Sequence, residues 1–216
     1  MNKRTKQIII IAGILSLYLA VFLVFILGPM TVVLYDLVRI LALFGLLTLF
    51  VSSIMAAFTK EIYQIFGKPY KKVHHIFAYT GLVLIILHPI FLSILTGSAD
   101  VFVPRFDDWR TFWFLAGRPA LYLVILAVIA GILQPRIKKW WRYIHGLNYI
   151  ALLFGVVHGM LIGTDLAPNL PATIFLKTLY ITLLALATSS FVFKRYKSVK
   201  RKKQRREKEK NIQTSN

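Results

Sequence analysis

Five histidines are the residues of this chain with the clearest capacity for chemistry, because imidazole nitrogens bind metal ions and the chain contains no cysteine. Four of them form two pairs of nearly equal spacing. His74 and His88 are fourteen residues apart (88 − 74), and His145 and His158 are thirteen apart (158 − 145). In a helix, at about 1.5 Å per residue, each spacing spans about 20 Å, which is most of the hydrocarbon thickness of a bilayer. Each pair therefore places one candidate ligand near each side of a membrane.

The facing of the four rings favours a flat cofactor over a compact metal site. Fourteen residues return a helix to within about 40° of the starting face, whereas thirteen leave an offset of about 140° that requires a local distortion. The third and fifth predicted helices enter from the same side, so His74 lies level with His145, and His88 lies level with His158. Zinc and copper favour three or four ligands that converge on one point. Two facing pairs at two depths instead predict bis-histidine ligation of two b-type haems, with all four residues as iron ligands.

Other interpretations of the histidines stay open at this point. His75 is thirteen residues before His88 (88 − 75) and is a second candidate for the inner ligand. The facing argument favours His74, which would leave His75 as a propionate partner or an interface residue. A single histidine in a membrane helix is more often a helix–helix hydrogen bond than a ligand. The chain could therefore be a six-helix transporter or scaffold whose histidines join helices or bind metal transiently, or it could hold one haem, on His88 and His158.

The elements that carry these histidines are predicted membrane helices. Of the 216 residues, 57% are hydrophobic and 16% charged, with a mean hydropathy of +0.67, which excludes an ordinary soluble enzyme. The absence of cysteine excludes disulfides, iron–sulfur clusters and thiolate-ligated haem. A bilayer requires about 20 apolar residues per helix. Six such runs are present, at residues 8–27, 37–58, 73–95, 112–133, 141–162 and 172–193. The sequence thus predicts an all-α membrane protein, with a six-transmembrane-helix bundle as one domain over residues 1–193.

The distribution of basic residues predicts the orientation. The formal net charge is +19, and most lysines and arginines fall in the connections on one side of the predicted spans. By the positive-inside rule, both termini are cytoplasmic and the protein is a multi-pass protein of the plasma membrane. Residues 194–216 form a basic tail that we predict to be disordered and to anchor at anionic lipid headgroups, since it directly follows a span. The same placement argues against nucleic acid as a partner.

The segments around the histidines resemble the ferric reductase-like transmembrane family. HHIFA at residues 74–78, followed ten residues later by His88 (88 − 78), looks like the third-helix pattern of the family, with His75 where arginine is common. RYIHGLNY at residues 142–149, continued to His158, looks like the fifth-helix pattern. The family includes the membrane parts of ferric-chelate reductases and NADPH oxidases, and the haem subunit of the bacterial methionine-sulfoxide reductase system. The resemblance covers residues 8–193.

The resemblance implies an oxidoreductase membrane subunit that transfers electrons across the bilayer through two haems b. The implied ligand pairs are an inner pair, His74 and His145, and an outer pair, His88 and His158. Arg39 and Arg118 are candidates to contact a haem propionate or the substrate, although Arg39 could instead snorkel to the interface.

The chain has no dinucleotide-binding fingerprint, so no flavin or NAD(P) site is expected in it. Electrons are expected from a separate cytoplasmic flavoprotein or from membrane quinol. The acceptor is expected on the extracytoplasmic side, as ferric iron, oxygen or a partner reductase.

Overall fold

The computed structural model describes residues 2–214 and is all-helical, with 83% helix and no strand among those residues. Ten α-helices follow one another in the described part of the chain: α1 Lys3–Leu27, α2 Val33–Met55, α3 Thr59–Phe66, α4 Tyr70–Thr96, α5 Trp109–Phe114, α6 Gly117–Ile132, α7 Gln134–Ile137, α8 Trp141–Gly146, α9 Asn148–Ile162 and α10 Pro171–Thr214. A 3₁₀ turn, Ala99–Phe102, lies between α4 and α5. The predicted all-α fold is confirmed.

Five stretches of residues 2–214 are long and apolar enough to cross a membrane. They are α1, α2, α4, the combined α8–α9 stretch Trp141–Ile162, and Pro171–Arg201 of α10. These helices keep many large apolar side chains on the outside, such as Leu15, Val83 and Ile181, which are more than half exposed. Apolar surface of this kind is typical of lipid-facing helices. The prediction of a membrane protein is therefore confirmed at this level.

The fourth apolar run predicted from the sequence, residues 112–133, is divided between two helices. Pro119 lies in the first turn of α6, where it removes the amide that would bond the carbonyl of Leu115 in a continuous helix. The amide of Arg118 donates to the Leu115 carbonyl instead, at 2.9 Å. The chain consequently breaks between α5 and α6, and α6 has only 16 residues.

Helix α2 lies in the interior of the bundle and makes its most extensive contact with α4. Two glycines permit this close approach. A Cβ atom on Gly45 would lie 2.8 Å from the Ile85 side chain, and one on Gly81 would lie 2.9 Å from the Leu49 side chain. The core around α2 contains the fully buried side chains Val21, Leu47, Phe50, Leu152, Val156, Leu176 and Tyr180. This packing fixes α4, and with it the third-helix histidines, against α2.

The basic tail is helical where it is described, since α10 continues to Thr214. The structure differs here from the predicted disorder of residues 194–216. Lysine, arginine, glutamate and glutamine are good helix formers, and a helix that has already begun in the membrane does not require a new nucleation step. Residues 215–216 of the predicted tail lie outside the described residues, as does residue 1 of the predicted domain.

Candidate functional site

His74 on α4 and His145 on α8 lie opposite each other, and we keep the name inner pair for them. Their ring centroids are 6.2 Å apart and the ring planes are inclined by 74°. Imidazole–metal bonds are about 2.0–2.1 Å long and the ring centre lies about 1 Å behind the bonding nitrogen, so two rings on opposite sides of one ion have centroids about 6 Å apart. The separation of the inner pair is thus compatible with two imidazoles on one metal ion.

The four histidines of the two pairs share one hydrogen-bond pattern. In each, Nδ1 lies within hydrogen-bond distance of a backbone carbonyl on a neighbouring element. The pairs are His74 with Ser52 at 3.2 Å, His88 with Val38 at 2.9 Å, His145 with Ala127 at 2.8 Å, and His158 with Phe114 at 2.7 Å. A carbonyl oxygen only accepts, so Nδ1 carries the hydrogen and the neutral ring keeps its lone pair on Nε2. Metal-binding histidines commonly show this arrangement, in which the second ring nitrogen is held by a carbonyl.

The carbonyl partners repeat the spacing of the histidines. Both partners of α4 lie on α2 and are fourteen residues apart (52 − 38), as are the α4 histidines. The partners of His145 and His158 lie on α6 and at the end of α5, and are thirteen residues apart (127 − 114). In both cases the partner segment runs antiparallel to the histidine-bearing one. The spacings of thirteen and fourteen are thus matched by two neighbouring segments that hold the rings at two levels.

The helix that carries His145 and His158 tightens locally at Leu147. Leu147, between α8 and α9, keeps right-handed helical dihedrals (φ −60°, ψ −18°), but its amide donates to the carbonyl of Ile144 at 3.0 Å, three residues back. Such a 3₁₀ step turns the chain by about 120° per residue rather than about 100°. The extra rotation reduces the angular offset between His145 and His158.

A second distortion exposes the carbonyl that holds His158. In a continuous helix the Arg118 amide would donate to the carbonyl of Phe114. Because Arg118 donates to Leu115 instead, the Phe114 carbonyl is free to accept from Nδ1 of His158. The break that shortens α6 therefore also supplies an anchor for a candidate ligand.

Two glycines of α6 lie against the histidines of α8 and α9. A Cβ atom on Gly117 would lie 2.7 Å from Cδ2 of His158, which is too close for any side chain. A Cβ atom on Gly131 would lie 3.4 Å from Nδ1 of His145. The two glycines are fourteen residues apart (131 − 117), so each level has one. The His158 ring thus rests directly on the backbone of Gly117.

The Nε2 atoms of the four rings open onto accessible space. All four side chains are only partly buried. Their recorded hydrogen bonds all involve Nδ1, and no buried side-chain nitrogen or oxygen lacks a partner in the described part of the chain. An Nε2 atom without a partner must therefore be accessible. Open Nε2 atoms, anchored Nδ1 atoms and an inner pair at 6.2 Å fit the ligand set of a haem.

The inner pair has polar and aromatic neighbours. The Ser52 hydroxyl lies 2.9 Å from Nδ1 of His74, in addition to the Ser52 carbonyl. The ring of Tyr70 stacks on His74, with centroids 5.3 Å apart and planes inclined by 27°. Beside this group, the Asn148 amide donates to the Ser53 hydroxyl at 2.9 Å and joins α9 to α2. The hydrogen bonding of the inner pair thus includes one side chain, that of Ser52.

His75 does not take the place of His74 in this arrangement. Its side chain is exposed and its ring lies 5.6 Å from that of Tyr79, one turn further along α4. The ring of His74 is the one that lies opposite His145. The structure thus places His75 beside the inner pair rather than in it.

The outer pair, His88 and His158, has apolar neighbours and one nearby cation. The cation is Arg118, which directly follows Gly117, the residue whose backbone lies against the His158 ring. Arg118 is only partly buried and donates from Nη1 to the carbonyl of Val103 at 2.8 Å.

An aromatic cluster joins α5 to α9 next to the outer pair. The rings of Phe112 and Trp113 each lie 5.5 Å from the ring of Phe154, which is one helical turn before His158. Helix α5 begins at an Asp108 cap, whose carboxylate accepts from the Thr111 amide at 2.9 Å. Hydrogen bonding to Thr111, through its side chain and its backbone, holds the pKa of Asp108 below its ordinary value.

Arg39 has other partners than the sequence analysis predicts. It is 5% exposed and its guanidinium binds Asp165 with two hydrogen bonds, from Nε at 3.0 Å and from Nη2 at 2.6 Å. Nη1 donates to Asp36 at 2.7 Å. Because these carboxylates already satisfy the guanidinium, Arg39 is neither a free propionate or substrate contact nor a side chain that snorkels to the interface.

The residues missed by the sequence analysis are mostly partners of the histidines. Backbone carbonyls have no residue-specific signal, so their roles were not accessible from the sequence. The two glycines of α6 could have been found, since their spacing of fourteen residues matches that of the α4 histidines.

In the described part of the chain, no group of three or more His, Cys, Asp or Glu side chains is arranged to hold a metal ion. Comparisons with protein-family models, curated proteins and solved structures found no match to this chain.

Proposed function

We propose that this chain is a haem b-binding membrane protein that passes electrons from one side of the bilayer to the other. The observation that carries the proposal is one hydrogen-bond pattern common to the four histidines of the two pairs. In each, Nδ1 is bonded to a backbone carbonyl and Nε2 is left accessible. His74 and His145 would hold the inner haem, and His88 and His158 the outer one. The resemblance to ferric reductase-like proteins supports the same function.

The proposal includes six membrane crossings with both termini in the cytoplasm. Helices α5 and α6 together cover residues 109–132, which is about 36 Å of helix and enough for one broken crossing. A break inside a membrane is tolerated where the freed carbonyl finds a partner, and Phe114 has one in His158. The excess of lysine and arginine on one side supports the orientation and a location in the plasma membrane.

The contribution of the chain is to hold ligands in a fixed tautomer and at fixed depths. Each Nδ1–H bond to a carbonyl orients its ring and increases the basicity of Nε2. The antiparallel segments α2 and α5–α6 keep the two levels apart, and Gly117 lets one ring approach the backbone. When bound, haem supplies reversible one-electron exchange, and two histidines per iron leave no open position for a substrate.

The electron donor and the acceptor would be separate molecules. We propose a cytoplasmic flavoprotein or membrane quinol as donor, and ferric iron, oxygen or a partner reductase as the acceptor on the outer side. The cytoplasmic face would present Lys138, Lys139 and Arg142 next to the inner pair, and these cations could attract an acidic donor protein. Neutralising all three should then slow reduction by such a donor and leave reduction by dithionite unchanged.

The experiment that tests the proposal is purification from cells grown with ample haem, followed by a pyridine haemochrome measurement. We expect about two haems b per chain. His145→Ala and His158→Ala should each reduce the value to about one, because each removes one iron ligand. The matched control is His75→Ala, which should retain both haems. A folded but colourless wild-type protein would contradict the proposal.

One observation favours a second function, in which the histidines only join helices. Each of them does bond a neighbouring element through Nδ1. His145→Asn separates the two functions, because an asparagine amide can still donate to the Ala127 carbonyl but does not replace a histidine as iron ligand. A six-helix transporter or scaffold would be colourless both before and after this change and would stay folded, whereas the proposed electron carrier would lose about half of its haem.

A further inference from the structure

The strongest polar cluster apart from the histidines is centred on Arg39, near the N-terminal end of α2. Its guanidinium donates to the Asp165 carboxylate, to Asp36 and to the carbonyl of Pro29, and it lies 5.0 Å from the centre of the Phe25 ring. Arg39 and Asp165 have side-chain exposures of 4% and 7%. Buried bidentate pairs of this kind fix both position and orientation. Three segments meet here: the end of α1, the start of α2 and the loop between α9 and α10.

The ion pair joins the two elements that determine the outer pair. Arg39 directly follows Val38, whose carbonyl holds Nδ1 of His88. Asp165 is seven residues after His158 (165 − 158), in the loop that continues α9. The Arg39–Asp165 contact therefore links the anchor of one outer ligand to the helix that carries the other.

A second contact links the same two elements. The hydroxyl of Tyr35, one turn before Arg39, is hydrogen-bonded to the hydroxyl of Thr164, the neighbour of Asp165. The loop itself is held in a turn, since the amides of Leu166 and Ala167 both donate to the carbonyl of Gly163 at 3.1 and 2.7 Å. Leu166 is 4% exposed and packs close to Gly159 on α9. Movement at Asp165 would thus be transmitted to α9.

We propose that Arg39 and Asp165 are positioning residues that set the separation of His88 and His158, and with it the binding of the outer haem. The inference rests on the proposed function. Asp36 also pairs with Arg39, but it lies on the same helix, three residues earlier, and does not reach the α9–α10 loop. Asp36 is therefore the matched control, because its removal takes away a charge contact of Arg39 and leaves the inter-element link intact.

The test compares Asp165→Asn with Asp36→Asn in the full-length protein in detergent and in vesicles. Asparagine has the shape of aspartate but cannot form the charged bidentate pair. We expect Asp165→Asn to bind the outer haem about tenfold less tightly, or to shift its midpoint potential, with the inner haem unchanged. Asp36→Asn should retain both haems and both potentials. The outer component is identified beforehand as the one that disappears in His158→Ala.

Folding is measured in the same samples by the inner haem and by size-exclusion chromatography. Retention of the inner haem shows that a loss at the outer level is local. Asp165→Glu, which restores the charge, should recover part of the outer component. Two results would overturn the inference: Asp165→Asn with both haems and potentials unchanged, or equal loss of both haems, which would make the pair a general folding contact. A wild-type protein without haem would instead contradict the proposed function.

Discussion

The inner and outer histidine pairs are built by different means, although they share one tautomer and one kind of backbone anchor. At the inner pair, side chains take part: the Ser52 hydroxyl lies beside Nδ1 of His74, and Tyr70 stacks on the same ring. At the outer pair, each Nδ1 has a backbone carbonyl alone as its partner among the described residues. The inner pair is therefore open to adjustment through side-chain hydrogen bonds.

The outer pair depends more on shape and on buried charge. His158 lies in contact with the backbone of Gly117 and one turn from the aromatic cluster around Phe154. The elements beside the pair are joined by the Arg39–Asp165 contact. We therefore expect substitutions of equal size to affect haem binding differently at the inner pair and at the outer pair. Steric changes should act on the outer pair, and changes in hydrogen bonding should act on the inner pair.

The largest effect is expected from Gly117→Ala. The new Cβ would lie 2.7 Å from the His158 ring, with no room for the ring to stay in place. Overpacking of this kind costs about 1–3 kcal/mol, and here it would displace a candidate ligand. We expect the outer haem to be lost and the inner one to remain, as measured by the pyridine haemochrome ratio and a redox titration.

The matched control is Gly131→Ala at the inner level. Its Cβ would lie 3.4 Å from His145, which requires a shift of only a few tenths of an ångström. Alanine also favours a helix over glycine by about 1 kcal/mol. Gly131→Ala should therefore keep both haems. If the two alanine variants behaved alike, the contrast between a steric outer pair and an adjustable inner pair would be wrong.

A smaller effect is expected from Ser52→Ala, which tests the inner side of the contrast. The change removes the hydroxyl beside Nδ1 of His74 but leaves the Ser52 carbonyl in place, so both haems should be retained. Loss of one acceptor makes Nε2 less basic and destabilises the oxidised iron. At about 1 kcal/mol for one hydrogen bond, the inner midpoint potential should rise by about 40 mV.

The control for this variant is the neighbouring serine. The Ser53 side chain accepts from Asn148 and is not hydrogen-bonded to a histidine, so Ser53→Ala should leave both potentials unchanged although it removes a buried hydrogen bond of similar strength. A shift of the outer potential in Ser52→Ala, or an equal inner shift in both serine variants, would contradict the assignment of Ser52 to the inner pair.

The sequence predicted the features that depend on regular helices. Helix α4 is continuous from Tyr70 to Thr96, so the angular argument from His74 and His88 applies to it directly. Five of the six apolar runs correspond to long helical stretches, because every backbone polar group inside a membrane must find a partner within the protein. The level of each histidine followed from residue counts alone.

The features that the sequence did not predict depend on contacts between distant segments or on local breaks. The 3₁₀ step at Leu147 and the break before Gly117 each follow from one backbone hydrogen bond that is displaced by a residue. The sequence does not reveal the partner of Arg39, because Asp165 is 126 residues away along the chain. Without a visible partner, the arginine is interpreted as a contact of the cofactor or substrate. The high charge of the tail indicates disorder, whereas the helix propensity of its lysines, arginines and glutamates favours the helix that the structure has.

The smallest expected effect is an acid response confined to the side of the outer pair, where α5 depends on a carboxylate cap. Folding lowers the pKa of Asp108 below its ordinary value of 3.8. The cap therefore stabilises α5 at every pH above 3.8 and is lost only as the pH falls through the lower folded value. The fluorescence emission of Trp109 and Trp113, measured in a Trp140→Phe/Trp141→Phe background, should be constant down to mild acid and change below pH 3.8.

The control variants are the two neighbouring aspartates. Asp108→Asn keeps a capping side chain that does not titrate and should abolish this transition, whereas Asp107→Asn should leave it in place. A transition that persisted in Asp108→Asn would show that the acid response arises from another group and would remove this difference between the two sides.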